Sequence, residues 1–208
     1  MDIESELSAM SIYHCAAFAA ACCERMIDSY DAFSRAEEWG KPELLRTTLD
    51  EVWATLGQNS FLTMRTDSLI KTLRKDGVVP DPGDFRSVFS DSAGDAANGV
   101  LRLVHYVNKP DVKHIVFISK FSIQNVVVYL ERVCAPLGRA STEQNVQEWL
   151  EQAPLKLMEL EKQRQDLALL GSLPDLTEEF VKQLRWSSRN MGIQPLSRGL
   201  LKQKNKSS

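Results

Sequence analysis

Apolar positions recur at helical spacing from one end of the chain to the other. Ile12, Cys15, Ala16, Ala19, Cys22, Cys23, Met26, Ile27, Tyr30 and Phe33 follow at short helical intervals, so a first helix buries one face against other elements. Trp39-Gly40 supplies its stop. Pro42 then sits where a first-turn proline is tolerated, ahead of Leu45, Leu49, Val52, Trp53 and Leu56 in a second helix closed by Gly57. Leu62, Leu69, Ile70 and Leu73 mark a third, with Lys71, Arg74 and Lys75 on its exposed side and Asp76-Gly77 at its end. The run Val79-Pro80-Asp81-Pro82-Gly83-Asp84 cannot continue a helix, because each proline restricts the residue before it; it reads as a joint within one domain.

Beyond that joint, Ser90 or Asp91 can cap a helix carrying Ala93, Ala96, Ala97, Val100, Leu101 and Val104. Gly94 and Gly99 would let a neighbouring helix approach closely. The stretch His114 to Leu130 is rich in β-favouring residues, and propensity alone permits two strands. Its length without Gly or Pro, and the stripe Ile118, Phe121/Ser122, Asn125, Tyr129 and Val133, predict a buried helix instead, ended by Pro136-Leu-Gly138. Ser141-Thr142-Glu143-Gln144 has the form of a capping box before Val146, Trp149 and Leu150. Pro154 kinks or interrupts that helix, and Leu157, Leu160, Leu167 and Leu170 resume the pattern. A last helix follows Ser172-Leu173-Pro174, with Asp175, Glu178 and Glu179 early and Lys182, Arg185 and Arg189 late, the order a helix dipole favours. The expectation is an all-α, single-domain bundle of about seven to eight helices over residues 1–193.

Composition adds boundaries to this picture. A chain of 208 residues with 43% apolar and 25% charged content can bury a substantial core, and its net charge of −3 is that of an ordinary globular protein. The longest apolar run, Cys15 to Cys23, is far short of the roughly 20 residues that span a bilayer. Asp2, Glu4 and Glu6 open the chain where a signal peptide would be basic, so the expected location is the cytoplasm. Cys15, Cys22, Cys23 and Cys134 lack zinc-type or disulfide-type spacing and read as reduced core residues. Residues 194–208 carry Arg198, Lys202, Lys204 and Lys206 without an acid, so this +4 segment leaves −7 on the remainder. It reads as a basic, disordered tail on an acidic body, and an acidic body is a poor partner for nucleic acid except through such a tail.

The candidate chemistry lies in charges set within apolar helices. Glu24 and Asp28, and likewise Asp91 and Asp95, are spaced i and i+4, so each pair can project from one face. Four carboxylates suggest two metals, but ferritin-like sites need Glu-x-x-His units, and none is present. The expected account is a structural charged cluster of Glu24, Arg25, Asp28, Asp91 and Asp95, in which Glu24 or Asp95 pairs with Arg25 or the acids cap neighbouring helices. No Gly-x-Ser-x-Gly elbow and no Walker sequence occur. Trp53, Trp149 and Trp186 continue apolar stripes and are expected in the core, whereas Trp39, at a helix end, is freer to be exposed.

The element Cys23-Glu24-Arg25-Met26 with Tyr30 and Phe33 resembles the YjaG-like family, a bacterial domain of unknown function numbered 416. Asp50 and Trp53, then Pro80, Asp84 and Phe85, then Asp95-Ala96, and finally Asn190, Gly192 and Ile193 agree in order with the family pattern. The likeness covers about residues 8–193. Asp28-Ser29 stands where the family usually has Pro-Asn, and Arg189-Asn190-Met191 departs from its Ser-Asn-Ile ending. The resemblance implies an all-α fold and no established activity.

With no catalytic constellation legible, the expectation is a non-enzymatic protein that binds another protein, with Glu37, Glu38, Trp39 and Glu43 as the partner surface. Its most specific form is a bacterial immunity protein neutralising a cognate toxin, by analogy with acidic proteins whose charge speeds the encounter with a basic partner. The alternatives are an enzyme or a small-ligand or metal protein built on Glu24, Arg25 and Asp95, and a nucleic-acid accessory protein acting through the tail. No cofactor and no membrane are expected, and wide apolar stripes leave room for a homodimer.

Overall fold

The segment that reads as the first helix becomes the axis of the molecule. The computed structural model describes residues 3–75, 77–134 and 143–191, and among them are nine α-helices and no strand. In chain order these are α1 (Ile3–Ser8), α2 (Ile12–Glu37), α3 (Pro42–Gly57), α4 (Thr66–Leu73), α5 (Ser90–Asn108), α6 (Val112–Tyr129), α7 (Glu143–Gln152), α8 (Pro154–Gly171) and α9 (Glu178–Met191). A 3-10 turn at Pro82–Asp84 precedes α5, and a π-helical turn at Leu130–Cys134 extends α6. The all-α bundle is as expected, and α1 is additional: its Leu7 is buried, and Leu7 O accepts a hydrogen bond from Cys15 Sγ at 3.2 Å.

Every residue of α2 from His14 to Ile27 is buried, because α3, α5, α6, α8 and α9 all pack against it. Its alanines keep the helix thin on all sides, so neighbours come close. A Cβ on Gly99 of α5 would lie 2.8 Å from Met26 Cε and 3.4 Å from Cys23 Sγ, which is the close approach expected there. Gly94 does not share it: its nearest neighbour is Pro80 O at 3.8 Å, an ordinary contact.

The end of α2 is fixed from outside the helix. Glu38 closes it in the left-handed conformation (φ 51°), and Gly40 follows at φ 97°, where a Cβ would lie 2.6 Å from the Tyr30 hydroxyl. That hydroxyl donates to Val78 O at 2.6 Å and accepts from Lys41 N–H at 3.1 Å, joining the α2–α3 turn to the segment before the 3-10 turn. Phe33 and Phe85 stack edge-to-face beside it at 4.9 Å between ring centroids.

The β-favouring run is helical throughout. Asp111 caps α6 by accepting from Lys113 N–H at 3.0 Å, and Ile115, Ile118, Ser119, Ser122, Asn125, Val126 and Tyr129 form its buried face. Pro154 opens α8 in its first turn rather than kinking a longer helix. Ile12, at the start of α2, is 42% exposed rather than on the buried face, and other apolar readings fail as well. Leu62 precedes α4 and is 96% exposed, and Leu157 and Leu160 of α8 face outward while Glu159, Gln163, Asp166, Leu167 and Leu170 are buried. The Pro136 to Gly138 stop, Ser141 and Thr142, and the 194–208 tail lie outside the described residues.

Tyr30→Phe deletes a hydroxyl that answers one buried acceptor and one donor, and is expected to cost about 1–3 kcal/mol. A urea midpoint lowered with an unchanged m-value is the expected result; an unchanged midpoint would show that water replaces the hydroxyl without loss.

Candidate functional site

Adjacent residues on a helix point about 100° apart, and Glu24 and Arg25 therefore serve different neighbours. Glu24 is fully buried and faces α3 and α9. Its carboxylate accepts from Arg46 at 2.5 Å, from Arg189 Nε at 2.5 Å and from Trp53 Nε1 at 2.8 Å, with Arg185 Nε at 3.5 Å. Asp50 pairs with Arg185, and Asp28 lies 3.9 Å from Arg46.

Arg25 faces α6 and α8. It donates twice to Glu159, at 2.8 and 3.0 Å, and once to Asp166 at 3.0 Å. The Ser122 hydroxyl and the Gln163 amide donate to the same Glu159 oxygen at 2.6 and 2.8 Å, and Lys162 pairs with Asp166. Burial opposes the charge on Arg25, but Glu159 above all outweighs it and leaves the guanidinium more basic than usual. Neither Glu24 nor Asp95 pairs with Arg25, and the five charges expected to form one cluster are divided among three places. Its true partners stand 134 and 141 residues away in sequence. The spacing Glu159, Gln163 and Asp166 along one face of α8 is the signal that could have revealed them.

Cys15, Cys22 and Cys23 are free thiols buried in the core. Burial pushes the Cys22 thiol up to about 12 and raises Cys15 and Cys23 as well. The side chain of Cys134 lies outside the described residues.

The remaining two acids line a cavity of about 400 Å³ between α5, α6 and the segment around Pro80 and Pro82. Asp91, Asp95 and Asn98 come from α5, and Gln124, Val128, Glu131 and Arg132 come from α6 and its π-helical turn. Asp91 is 3.3 Å from Arg132. Asp95 has no hydrogen bond or ion pair with any described residue. Burial, reinforced by the neighbouring charge of Asp91, pushes its carboxyl up to about 7. Among the described residues no three His, Cys, Asp or Glu side chains are grouped to hold a metal ion, and no helix is long and apolar enough to cross a membrane.

At the surface expected to meet a partner, Glu38 and Glu43 are exposed and Glu37 is half-buried. Trp39 is less free than anticipated, since it packs against Phe33 and Phe85 at centroid separations of 5.8 and 4.9 Å. Trp53 is buried as expected. Trp149 and Trp186 are not: they are 39% and 70% exposed. In α9 the buried face runs through Val181, Leu184 and Ser188, and Trp186, two residues past Leu184, points to the opposite side. Among the described side chains of α7, Leu150 is buried, the next position round the helix from Trp149.

The fold and its pinned central helix define a class of all-helical domain whose members are known by structure ahead of activity. The chain belongs to the DUF416 family of proteins of unknown function, whose model matches residues 2–196. It is similar to the uncharacterized protein YjaG of Salmonella typhimurium and to that of Escherichia coli K12, each 28% identical over 84% of this chain and 85% of the relative. The crystal structure of a DUF416 family protein from Shewanella baltica OS155 superposes with a TM-score of 0.78 at 27% identity, covering 92% of this chain and 95% of that one.

Two outcomes follow from these charges. Arg25→Met leaves Glu159 facing a buried apolar group and is expected to cost about 3–5 kcal/mol, part of it recovered in the double variant Arg25→Met, Glu159→Leu; denaturant unfolding of the four species measures this, and simple additivity would contradict the coupling. Asp95 behaves in the opposite sense to a salt-bridged acid. Its pKa rises from 3.8 to about 7 on folding, so the folded state keeps a proton that the unfolded chain loses. Stability from this group falls between about pH 4 and pH 7 and is level above. Asp95→Asn removes that slope and gains about 1–2 kcal/mol at alkaline pH, after discounting for partial exposure. Melting curves of parent and variant should diverge across this range; parallel curves would place the carboxyl at its ordinary pKa.

Proposed function

We propose that this protein works without catalysis, by binding another protein, and that the Asp91–Asp95 cavity receives a basic side chain of that partner. One observation carries the reading: Asp95 is a half-buried carboxyl in a cavity, and no described residue hydrogen-bonds to it or pairs with it. The buried carboxylates Glu24, Glu159 and Asp166 have their charges answered within the fold. A Lys or Arg entering the cavity would supply what Asp95 lacks, and a desolvated ion pair of this kind contributes more than an exposed one. The −7 carried by residues 1–193 would attract such a partner from a distance. A basic toxin faced by an immunity protein is one partner of this chemistry; the site itself selects for a basic protein and not for a toxin.

A carboxyl titrating near neutrality in a cavity also suits general acid–base chemistry on a small polar substrate. Turnover of such a substrate, abolished in Asp95→Asn, would favour that second reading.

Affinity capture from a native bacterial lysate, followed by reconstitution with the purified partner, tests the binding reading. The partner is expected to be basic, to bind more tightly as pH rises through about 7, and to lose tenfold or more in affinity to Asp95→Asn, about 1.4 kcal/mol. A stoichiometric partner held equally by parent and variant would move the interface away from this cavity, toward Glu37, Glu38 and Glu43.

A further inference from the structure

The outer face of the α5–α6 hairpin changes sign along its length. At one end is the acidic cavity. Toward the other, α5 and α6 bring together Asn98 with Gln124, then Arg102 with Phe117 and Phe121, then His105 with His114. The Arg102 guanidinium lies 4.2 Å from the Phe117 ring centroid, and the two imidazoles stack at 5.6 Å. Arg74, at the C-cap of α4, reaches His105 Nε2 at 3.0 Å, where a carboxylate would ordinarily be its partner. Among the described residues, none of Arg74, Arg102, Lys113 and Lys120 forms an ion pair with an acid. Asp111, the acid nearest His114, is engaged in capping α6. Cations without ion pairs among the described residues, gathered beside a 43%-exposed phenylalanine on a body that is otherwise acidic, give this end a positive potential suited to an anionic group.

We infer that this basic, aromatic end of the hairpin is a docking face for an acidic stretch of the partner protein, lying along the same groove as the basic side chain placed in the cavity. The inference rests on the cavity reading for the second contact and on the unpaired cations for the first. A protein segment fits better than nucleic acid. It can present both signs of charge, whereas a phosphodiester chain following the groove would run into Asp95, Asp91 and Glu131. Phe117 is the one large apolar group exposed on α6, too little for the apolar face of a docked helix, so the segment is extended. From Asp95 to His105 is ten residues of helix, about 15 Å. An extended chain crosses that distance in four or five residues at about 3.3 Å each. The recognised sequence therefore has a Lys or Arg and an Asp or Glu separated by four or five positions.

Selection of a random dodecapeptide library on the immobilised full chain tests this. Enriched peptides should share that spacing, and the best of them should bind tenfold or more weakly to Asp95→Asn, to Arg102→Gln and to the exposed double variant Lys113→Glu, Lys120→Glu, which leaves the core untouched. Basic peptides sensitive to Asp95→Asn alone would overturn the docking face and leave the cavity reading standing. Acidic peptides sensitive only to the basic-end variants would uphold the docking face and overturn the cavity reading. No shared charge pattern would overturn both. A labelled single-stranded RNA that binds more tightly than any selected peptide, and is lost in Arg102→Gln, would replace the protein segment with nucleic acid.

Discussion

Two opposite charges on consecutive residues of a buried helix organise this fold. Glu24 and Arg25 diverge by about 100°, so one reaches α3 and α9 while the other reaches α6 and α8. Each is buried deeply enough that leaving it unanswered would cost several kcal/mol, and each therefore accepts only arrangements in which distant helices deliver their counter-charges. Apolar packing around an alanine-rich axis is permissive about rotation and sliding. The two charges are not, and they fix which face of α2 meets which neighbour.

How far this was legible in the sequence follows from the range of the interaction. The helix starts and stops depend on residues a few positions apart, and Pro42, Gly57 and Pro154 mark boundaries where the structure has them, while α5 begins one residue before a Ser90 cap would start it, with Phe89 at the N-cap. The buried face of α6 was readable for the same reason, since length and spacing outweigh β propensity when Gly and Pro are absent. The counter-charges of Glu24 and Arg25 were not readable, because they come from α3, α8 and α9. The leucines of α8 misled: a helix that must deliver Glu159, Gln163 and Asp166 to a buried arginine turns Leu157 and Leu160 outward. Trp186 misled similarly, since a large apolar residue can occupy the exposed side of a helix whose core face is already complete.

Of the candidate residues, the acids at 91 and 95 share one face of α5, as their i, i+4 spacing requires, but their setting in a cavity was not foreseen. The sequence offers no sign that Asp91 finds Arg132 while Asp95 finds no partner among the described residues. Arg102 and Phe117 went unnoticed because their association exists only once α5 and α6 fold back on one another. The contrast between settled and unsettled charge is what separates framework from site in this molecule. Glu24, Arg25, Glu159 and Asp166 are enclosed and satisfied, whereas on the α5–α6 face Asp95 at one end and Arg102, Lys113 and Lys120 at the other form no ion pair among the described residues.

Among the described residues Asp95 stands unpaired in the folded protein, and the functional reading depends on it. Carboxyl-carbon NMR titration of the full chain reads that group directly. A midpoint near 7 for Asp95, well separated from the other aspartates, is the predicted result; a midpoint near 4, the ordinary carboxylate range, would mean that its charge is already answered and that the cavity holds no unmet demand for a partner's cation.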